Sequence, residues 1–233
     1  MRRGKRQAGQ NIRTMAMRRR VRAIQSFVAA GAVLVVPLVL LRLFENLATS
    51  LQLTTATQQP LIAPQLKLLF GLLMLVSAAS LVWKGLYLWK RANHADQGAK
   101  GEEEIAKTLE GLEALGWEIE YGRQLRGLGD VDVVCTSPKG NTYTIDVKSH
   151  RGKVTTDGEQ LYRYIGQNKQ PFEKDFLEQA MKQALRIKQQ KRQKFVTPMI
   201  AFSDATVTIP SGKLRGVYVV EKARLIPLLK SLG

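Results

Sequence analysis

Hydrophobic residues along this 233-residue chain are concentrated in two long runs near its N-terminus. The first, Ile24 to Leu41 (IQSFVAAGAVLVVPLVLL), contains no charged residue, and the second, Leu66 to Trp89, carries only two lysines near its ends. At a rise of 1.5 Å per residue, runs of this length suit a hydrocarbon layer roughly 30 Å thick. The pattern predicts a transmembrane hairpin with helices at about 24–44 and 66–89.

Two other structures pass the same test of length and hydrophobicity. The runs could be buried helices of a soluble bundle, but they are hydrophobic on all sides and lack the stripe expected of an amphipathic helix. The first run could also be a cleaved signal peptide, although a basic leader of more than twenty residues is long for one. Cleavage there would leave the second helix in the same orientation.

The pattern changes to short alternating segments after the hairpin. A helix is predicted from Gly98 to Gly116, with Ile105, Leu109 and Leu112 on one face and glutamates in its first turn. Three strands follow at 117–121, 130–136 and 142–148, the last two forming a hairpin. The remaining segments are a helix at 172–193, strands at 195–202 and 216–220, and a helix at 221–232. This order predicts an α/β fold with a mixed sheet flanked by helices.

Positive charge is distributed unevenly along the chain, whose formal net charge is +17. Residues 1–22 contribute +9, residues 23–96 contribute +3 and residues 97–233 contribute +5, whereas residues 46–65 between the apolar runs are uncharged. Cytoplasmic segments beside membrane helices collect Lys and Arg, so the asymmetry predicts that both termini are cytoplasmic. Most of the basic character therefore reflects the hairpin, and the C-terminal part is only mildly basic.

Cysteine and histidine are scarce. The chain has one cysteine, Cys135, and two histidines, His94 and His150, which excludes an internal disulfide and makes a Cys/His zinc site of ordinary ligand number untenable. A metal ion would be held by oxygen ligands.

Two carboxylates lie on adjacent predicted strands, and this grouping carries the candidate chemistry. Asp132 is on the first strand of the hairpin and Asp146 on the second, with Lys148 two residues later on the same face. Asp146 lies between two apolar residues, where an acid is costly without a metal or cation partner. An ordinary surface ion pair between Asp146 and Lys148 is the alternative. Acids plus a lysine suit Mg²⁺-assisted phosphodiester hydrolysis, and Glu102 could add a third carboxylate.

The motifs GAKGEEEIAKTL, GDVDVV and YTIDVKSHRGKV together resemble the nuclease-related domain (NERD) family of the PD-(D/E)xK restriction-endonuclease-like superfamily. The resemblance extends from Gly98 to the C-terminus. The family's Gly-Glu pair is matched by Gly101 and Glu102, its strand aspartate by Asp132, and its acid-x-Lys strand by Asp146 and Lys148, with Asp where many relatives have Glu. The resemblance implies a restriction-endonuclease-like fold, a Mg²⁺ or Mn²⁺ cofactor and nucleic acid, expected to be DNA, as substrate.

Two assignments within this resemblance have competitors. Asp130 lies on the same face of its strand as Asp132, which is preferred as the metal ligand because the apolar run after it fits the family better. The family's helical glutamine is matched by Gln179, and Gln183 is an alternative.

Further residues are candidates for contact with substrate phosphates. They are His150, Arg151 and Lys153 after the acid-x-Lys strand, together with Gln179 and Lys182 on the later helix. Solvated charge is the default interpretation of such positions. The chain has neither a Walker-type phosphate loop nor a GxSxG nucleophile motif.

The sequence thus predicts four segments: a basic cytoplasmic tail (1–22), a transmembrane hairpin (23–91), a juxtamembrane linker (92–97) and a nuclease-like domain (98–233). The expected protein is a metal-dependent nuclease in the inner membrane whose partners are the lipid bilayer and nucleic acid. Homo-oligomerisation is left open. The alternative function is a non-catalytic module that binds nucleic acid or protein at the membrane.

Overall fold

Eight strands form one mixed sheet in the computed structural model, which describes residues 8–50, 64–125 and 129–233. The strands are β1 (Glu118–Leu125), β2 (Gly129–Thr136), β3 (Thr142–Thr156), β4 (Leu161–Ile165), β5 (Asn168–Pro171), β6 (Val196–Val207), β7 (Lys213–Leu214) and β8 (Val217–Glu221). The helices are α1 (Gln10–Ser50), α2 (Pro64–Glu113), α3 (Phe176–Lys191) and α4 (Lys222–Leu232). The α/β class predicted from the sequence is confirmed.

The main path of the sheet runs β1-β2-β3-β6-β8-β7. Strands β2 and β3 pair antiparallel, which confirms the predicted hairpin, while β3–β6 and β6–β8 are parallel. The pairing of β2 with β3 ends at Val133 opposite Ile145. Beyond that point β3 continues past a bulge between Lys148 and Arg151 and pairs with β4 instead. The two central strands therefore separate at a fork, and this fork positions the candidate site.

Helices cover both faces of the sheet because apolar side chains alternate along its strands. On one face, Ile105 and Leu109 of α2 and Leu225 of α4 pack with strand residues such as Ile145. On the other face, α3 packs through six buried side chains. These six residues are Phe176, Leu177, Ala180, Gln183, Ala184 and Ile187. Asp175 caps the start of α3, since its Oδ1 accepts from the Glu178 N–H at 3.0 Å.

The structure corrects the predicted start of the helix that carries Glu102. The predicted helix began at Gly98, whereas α2 is continuous from Pro64 to Glu113 and includes the predicted linker at 92–97. Residues 92–97 contain neither proline nor glycine, and Gly98 and Gly101 just after them each cost only about 1 kcal/mol in a helix that is already nucleated. Glu102 and its neighbours are therefore in the interior of α2, not in a first turn.

Strands β4, β5 and β7 were absent from the prediction, and β3 extends eight residues past its predicted end at Lys148. The β4 segment, LYRYI, consists mostly of residues that favour a strand and was missed because it is only five residues long. The β5 segment, NKQP, is polar and exposed along its whole length, so it carries no apolar signal. Strand β4 pairs with the edge of β3 beyond the fork, and β5 pairs with β4.

Contacts divide the described chain into two units. The α/β unit comprises residues 8–14 and 95–233, and the hairpin unit comprises the described residues of 15–94. Residues 8–14, assigned to a basic tail by the sequence, thus group with the α/β unit. Residues 1–7 of that tail and residues 51–63 of the predicted uncharged connection lie outside the described residues.

The hairpin unit contains the apolar parts of α1 and α2. Both helices are long and apolar enough to cross a membrane. Their apolar side chains are mostly exposed, as illustrated by Leu68 at 79% and Val28 at 67%. Exposure on this scale differs from that of core helices in a soluble bundle. Within this unit Lys67 Nζ lies 2.9 Å from Glu45 Oε1.

Candidate active site

The fork between β2 and β3 brings two acidic side chains together. Asp132 and Asp146 follow directly on the last registered pair of the ladder, Val133 and Ile145, so each leaves its strand where the strands begin to separate. Asp132 Oδ2 accepts a hydrogen bond from the Val147 N–H at 2.7 Å. This bond crosses the fork and orients the Asp132 carboxylate beside Asp146.

Asp146 is buried, with 2% of its surface exposed, and it has a cationic partner. Lys148 Nζ lies 2.7 Å from Asp146 Oδ2, and the Lys148 side chain is 15% exposed. The predicted shared face is confirmed, and the pair is not the surface ion pair that was the alternative. Gln179 Nε2 donates to Asp146 Oδ1 at 3.3 Å.

Aromatic side chains pack beside the Lys148 ammonium group. Lys148 Nζ lies 4.5 Å from the centroid of the Phe176 ring, a cation–π distance. His150 stacks on the same ring with centroids 5.6 Å apart, and its Nδ1 lies 3.3 Å from Arg163 Nη1. Burial, helped by Arg163 and Lys148, lowers the pKa of His150. Nothing in the sequence indicated the contact between Phe176 and Lys148, because it depends on how α3 crosses the sheet.

Glu102 comes to this cluster from α2. The pKa of its carboxyl is raised, chiefly by burial and also by the charges of Asp146 and Asp130. The pKa of Asp132 is raised well above its ordinary value by burial and by the charges of Asp146 and Glu102, and burial raises the pKa of Asp146. Three carboxyl groups that resist ionisation together form an environment that a bound cation would stabilise.

Close approach of α2 to the sheet is possible because residue 101 is glycine. A Cβ on Gly101 would lie 2.8 Å from Ser203 Oγ and 2.9 Å from Ser149 Cβ. Gln97, one turn earlier, donates from Nε2 to the Ser149 carbonyl at 2.7 Å. Packing therefore explains the Gly101-Glu102 pair. The glycine allows α2 to lie close to the sheet, and Glu102 next to it extends into the acidic cluster.

Substitution of Gly101 by alanine is expected to destabilise the α/β unit by ~1–3 kcal/mol, because two close contacts in a packed interface must be relieved. Gly111→Ala in the same helix is the matched control. A Cβ there meets nothing within 4 Å, so this change is expected to stabilise by ~0.5–1 kcal/mol through the better helix propensity of alanine. Thermal unfolding followed by circular dichroism measures both, and equal effects would contradict the packing role of Gly101.

The structure separates the two competing aspartates. Asp130 is exposed, and its Oδ2 lies 3.4 Å from Asn11 Nδ2, whereas Asp132 is half-buried beside Asp146. Both candidate glutamines point toward this region. The Gln183 side chain is buried and its Nε2 donates to the Asp130 carbonyl at 3.2 Å, while Gln179 contacts Asp146 directly.

The remaining candidate binding residues lie outside the acidic cluster. Arg151 and Lys153 are exposed on β3 beyond the bulge. Lys182 is exposed on α3, where its Nζ lies 2.5 Å from Glu178 Oε1 in an ion pair one turn apart. All three side chains are accessible to a nucleic acid, although Lys182 would have to break its ion pair with Glu178 to bind one.

The described residues contain no group of three His, Cys, Asp or Glu side chains close enough to form a complete metal site. The cluster thus offers separate carboxylates and not a closed cage. Mg²⁺ usually keeps several waters and takes only one or two protein carboxylates, so the donor set fits that ion without three converging ligands.

The fold and the cluster define the class of this domain: a mixed α/β sheet with an acidic site and an adjacent lysine at a strand fork. Residues 97–203 match the family model of the nuclease-related domain, NERD. This match confirms the resemblance to the family that is seen in the motifs of the chain. The match includes Glu102, Asp132, Asp146 and Lys148 and ends within β6, before β7, β8 and α4. Comparisons with curated proteins and with solved structures found no match.

Proposed function

We propose that this chain is a membrane-anchored nuclease that hydrolyses phosphodiester bonds with the help of Mg²⁺ or Mn²⁺, and that its substrate is DNA. The observation that carries the proposal is the group formed by buried Asp146 and partly buried Asp132 and Lys148 at the fork, inside the segment matched to a nuclease-related family.

The donor set suits a hard divalent cation. Asp132, Asp146 and Glu102 would offer it carboxylate oxygens, the ligands that Mg²⁺ and Mn²⁺ prefer, with one or two bound directly and the rest reached through the waters that the ion keeps. When bound, such an ion supplies a Lewis acid that activates water and offsets the negative charge developing on the phosphate. Burial raises the pKa of all three carboxyl groups, and neighbouring carboxylates add to the shift for Asp132 and Glu102; a bound cation would offset both effects.

The protein's own groups supply orientation and positive charge. The Val147 N–H fixes the Asp132 carboxylate, and the Gln179 amide donates to Asp146. Lys148 places an ammonium group next to the acids, where it can contact a phosphate oxygen or the attacking water. Preorganised charge in a site from which water is largely excluded is the usual main source of such catalysis.

One observation favours the second candidate function, a non-catalytic nucleic-acid-binding module. The raised pKa values of Asp132, Asp146 and Glu102 favour protonated carboxyl groups over metal ligands. Exposed Arg151 and Lys153 would still attract a polyanion.

A cleavage assay separates the two functions. Full-length protein in detergent micelles is incubated with labelled DNA or RNA, with Mg²⁺, with Mn²⁺ or with a chelator. The nuclease proposal expects divalent-dependent cleavage of DNA that the chelator stops, and calorimetric binding of the ion by the protein alone. Binding of nucleic acid without cleavage under every condition supports the non-catalytic module. Preferential cleavage of RNA would contradict the proposed substrate.

The hairpin unit would place this domain at the cytoplasmic face of the membrane. Nine bases lie in residues 1–22, and residues 46–65 carry no charge, so both termini are expected inside. Ser50 and Ser231 are exposed. Under this orientation Ser50 would lie on the outer side of the membrane and Ser231 on the cytoplasmic side.

Single cysteines test this orientation in a Cys135→Ser background. In intact cells, with the outer membrane permeabilised where one is present, a membrane-impermeant maleimide is expected to label the Ser50→Cys variant. The Ser231→Cys variant is expected to react only after lysis. The reverse pattern would contradict the orientation, and labelling of both before lysis would contradict a two-helix anchor.

A further inference from the structure

The segment before α1 reaches the candidate site within the α/β unit. The Gly9 N–H donates to Glu102 Oε2 at 3.0 Å, although the two residues are 93 positions apart. Gly9 is buried and directly precedes α1, and its carbonyl accepts the N–H of Arg13 at 2.9 Å. A candidate metal ligand is thus held by a backbone group from a part of the sequence that the motifs do not include.

The contact requires glycine at position 9 for two reasons. Its φ is +73°, in the left-handed region that favours glycine, and a Cβ there would lie 2.9 Å from the Ala99 carbonyl oxygen. The same Cβ would lie 3.3 Å from Glu103 Oε1. Any side chain at this position would therefore push the Gly9 backbone away from α2 and lengthen its hydrogen bond to Glu102.

Side chains of the same segment hold it in place. The Arg13 guanidinium binds the Glu103 carboxylate in a bidentate manner, with Nε to Oε1 at 2.5 Å and Nη2 to Oε2 at 2.6 Å. Asn11 Nδ2 lies 3.4 Å from Asp130 Oδ2 at the start of β2. The segment therefore contacts α2 and β2, two of the three elements that carry acids of the site.

From this arrangement we infer that Gly9 is a positioning residue for Glu102 and that residues 9–13 contribute to the affinity of the site for a divalent ion. The inference rests on the proposed function. A glutamate side chain has three rotatable bonds, and a hydrogen bond to one oxygen restricts them while the other oxygen can still bind a cation. Groups that orient metal ligands in this way commonly contribute ten- to a hundredfold to metal affinity.

The test is calorimetric titration of Mn²⁺ into full-length protein in detergent micelles. Gly9→Ala is expected to weaken Mn²⁺ binding by about tenfold relative to the parent. The matched control is Gly140→Ala, because Gly140 has a similar φ of +86° but a Cβ there meets nothing within 4 Å. The control is expected to bind Mn²⁺ like the parent. It introduces the same left-handed backbone strain as Gly9→Ala, but Gly140 makes no contact with Glu102.

A double-mutant cycle separates positioning from general damage to the fold. In a Glu102→Gln background, Gly9→Ala is expected to cause no further loss of Mn²⁺ affinity, because the group that it orients is gone. If Gly9→Ala does not fold, Arg13→Ala loosens the segment without backbone strain and is expected to weaken binding in the same direction. Lys222→Ala is its control, since Lys222 pairs with Glu104 on α2 at 2.6 Å.

Each result is decisive. Unchanged Mn²⁺ affinity in Gly9→Ala would overturn the inference and leave the proposed function standing. Tighter binding would overturn it too, because the N–H would then compete with the cation for Glu102. Equal losses in the parent and Glu102→Gln backgrounds would assign the effect to the fold. Absence of Mn²⁺ binding by the parent would instead refute the proposed function, and this inference with it.

Discussion

Replacement of Lys148 by methionine is expected to reduce divalent-dependent cleavage by about a hundredfold or more while nucleic-acid binding changes little. Methionine keeps the length of the side chain and its packing on the Phe176 ring but removes the charge that lies 2.7 Å from Asp146 Oδ2. Loss of one preorganised group that stabilises developing charge commonly costs about 10²–10³ in rate. Initial rates on labelled DNA, with fluorescence anisotropy for binding, measure the two effects.

Lys191→Met is the matched control for this substitution. Lys191 also pairs with a carboxylate in a partly buried setting, with Nζ 2.5 Å from Glu120 Oε1 and 18% of its side chain exposed, compared with 15% for Lys148. Its partner lies on β1, away from the acidic cluster. A similar loss of cleavage in both variants would assign the effect to folding, and full activity of Lys148→Met would show that the catalytic role given to Lys148 is wrong.

Asp132→Asn is expected to stabilise the protein at neutral pH in the absence of divalent ions. Burial and the charges of Asp146 and Glu102 raise the pKa of Asp132, so its ionised form is unfavourable in the folded state. Asparagine removes this charge, and its side-chain oxygen can still accept the Val147 N–H. We expect a melting temperature higher by a few degrees, equivalent to ~1 kcal/mol in a domain of this size. Such a gain in stability with loss of function is typical of active-site residues.

The pH dependence of this effect has a definite sign. A raised folded-state pKa means that the folded protein holds its proton more tightly, so the stability contributed by Asp132 is complete below its unfolded pKa of about 3.9 and is lost as pH rises through the folded value. The advantage of Asp132→Asn should therefore vanish near pH 4 and grow toward neutrality. Asp130→Asn on the same strand, where the carboxylate is exposed, should change stability by less than ~0.5 kcal/mol.

Divalent ions should reverse the order of stability. Mg²⁺ bound to the folded parent raises its melting temperature, whereas Asp132→Asn lacks a ligand and should gain little. Scans of thermal unfolding at several pH values, with and without Mg²⁺, test both statements. If Asp132→Asn were less stable than the parent at neutral pH without Mg²⁺, the claim that ionised Asp132 destabilises the folded state would be wrong.

Local patterns in the sequence were sufficient for much of the fold. Runs of apolar residues predicted both long helices, and alternation of apolar residues predicted the β2–β3 hairpin and the shared face of Asp146 and Lys148. Periodicity works at these places because a side chain's direction along a strand or helix is set by its neighbours in sequence. The motif around these residues also led to the family that residues 97–203 match.

Other features depend on partners distant in sequence. The continuity of α2 through residues 92–97 reflects helix propagation from the apolar run. Strand β4 pairs with the edge of β3 beyond the fork, and the polar β5 segment is held as a strand by β4.

Residue types and the alternation of side chains along a strand are local properties, and they were enough to name the side chains that could perform the chemistry. How those side chains meet depended on the folded chain, which buries Asp146 with Lys148 beside Phe176, leaves Asp132 half-buried and Asp130 exposed, and joins Gly9 to Glu102. The physical reason is that the end of a strand ladder and the packing of a helix on a sheet are set by contacts between segments far apart in the chain.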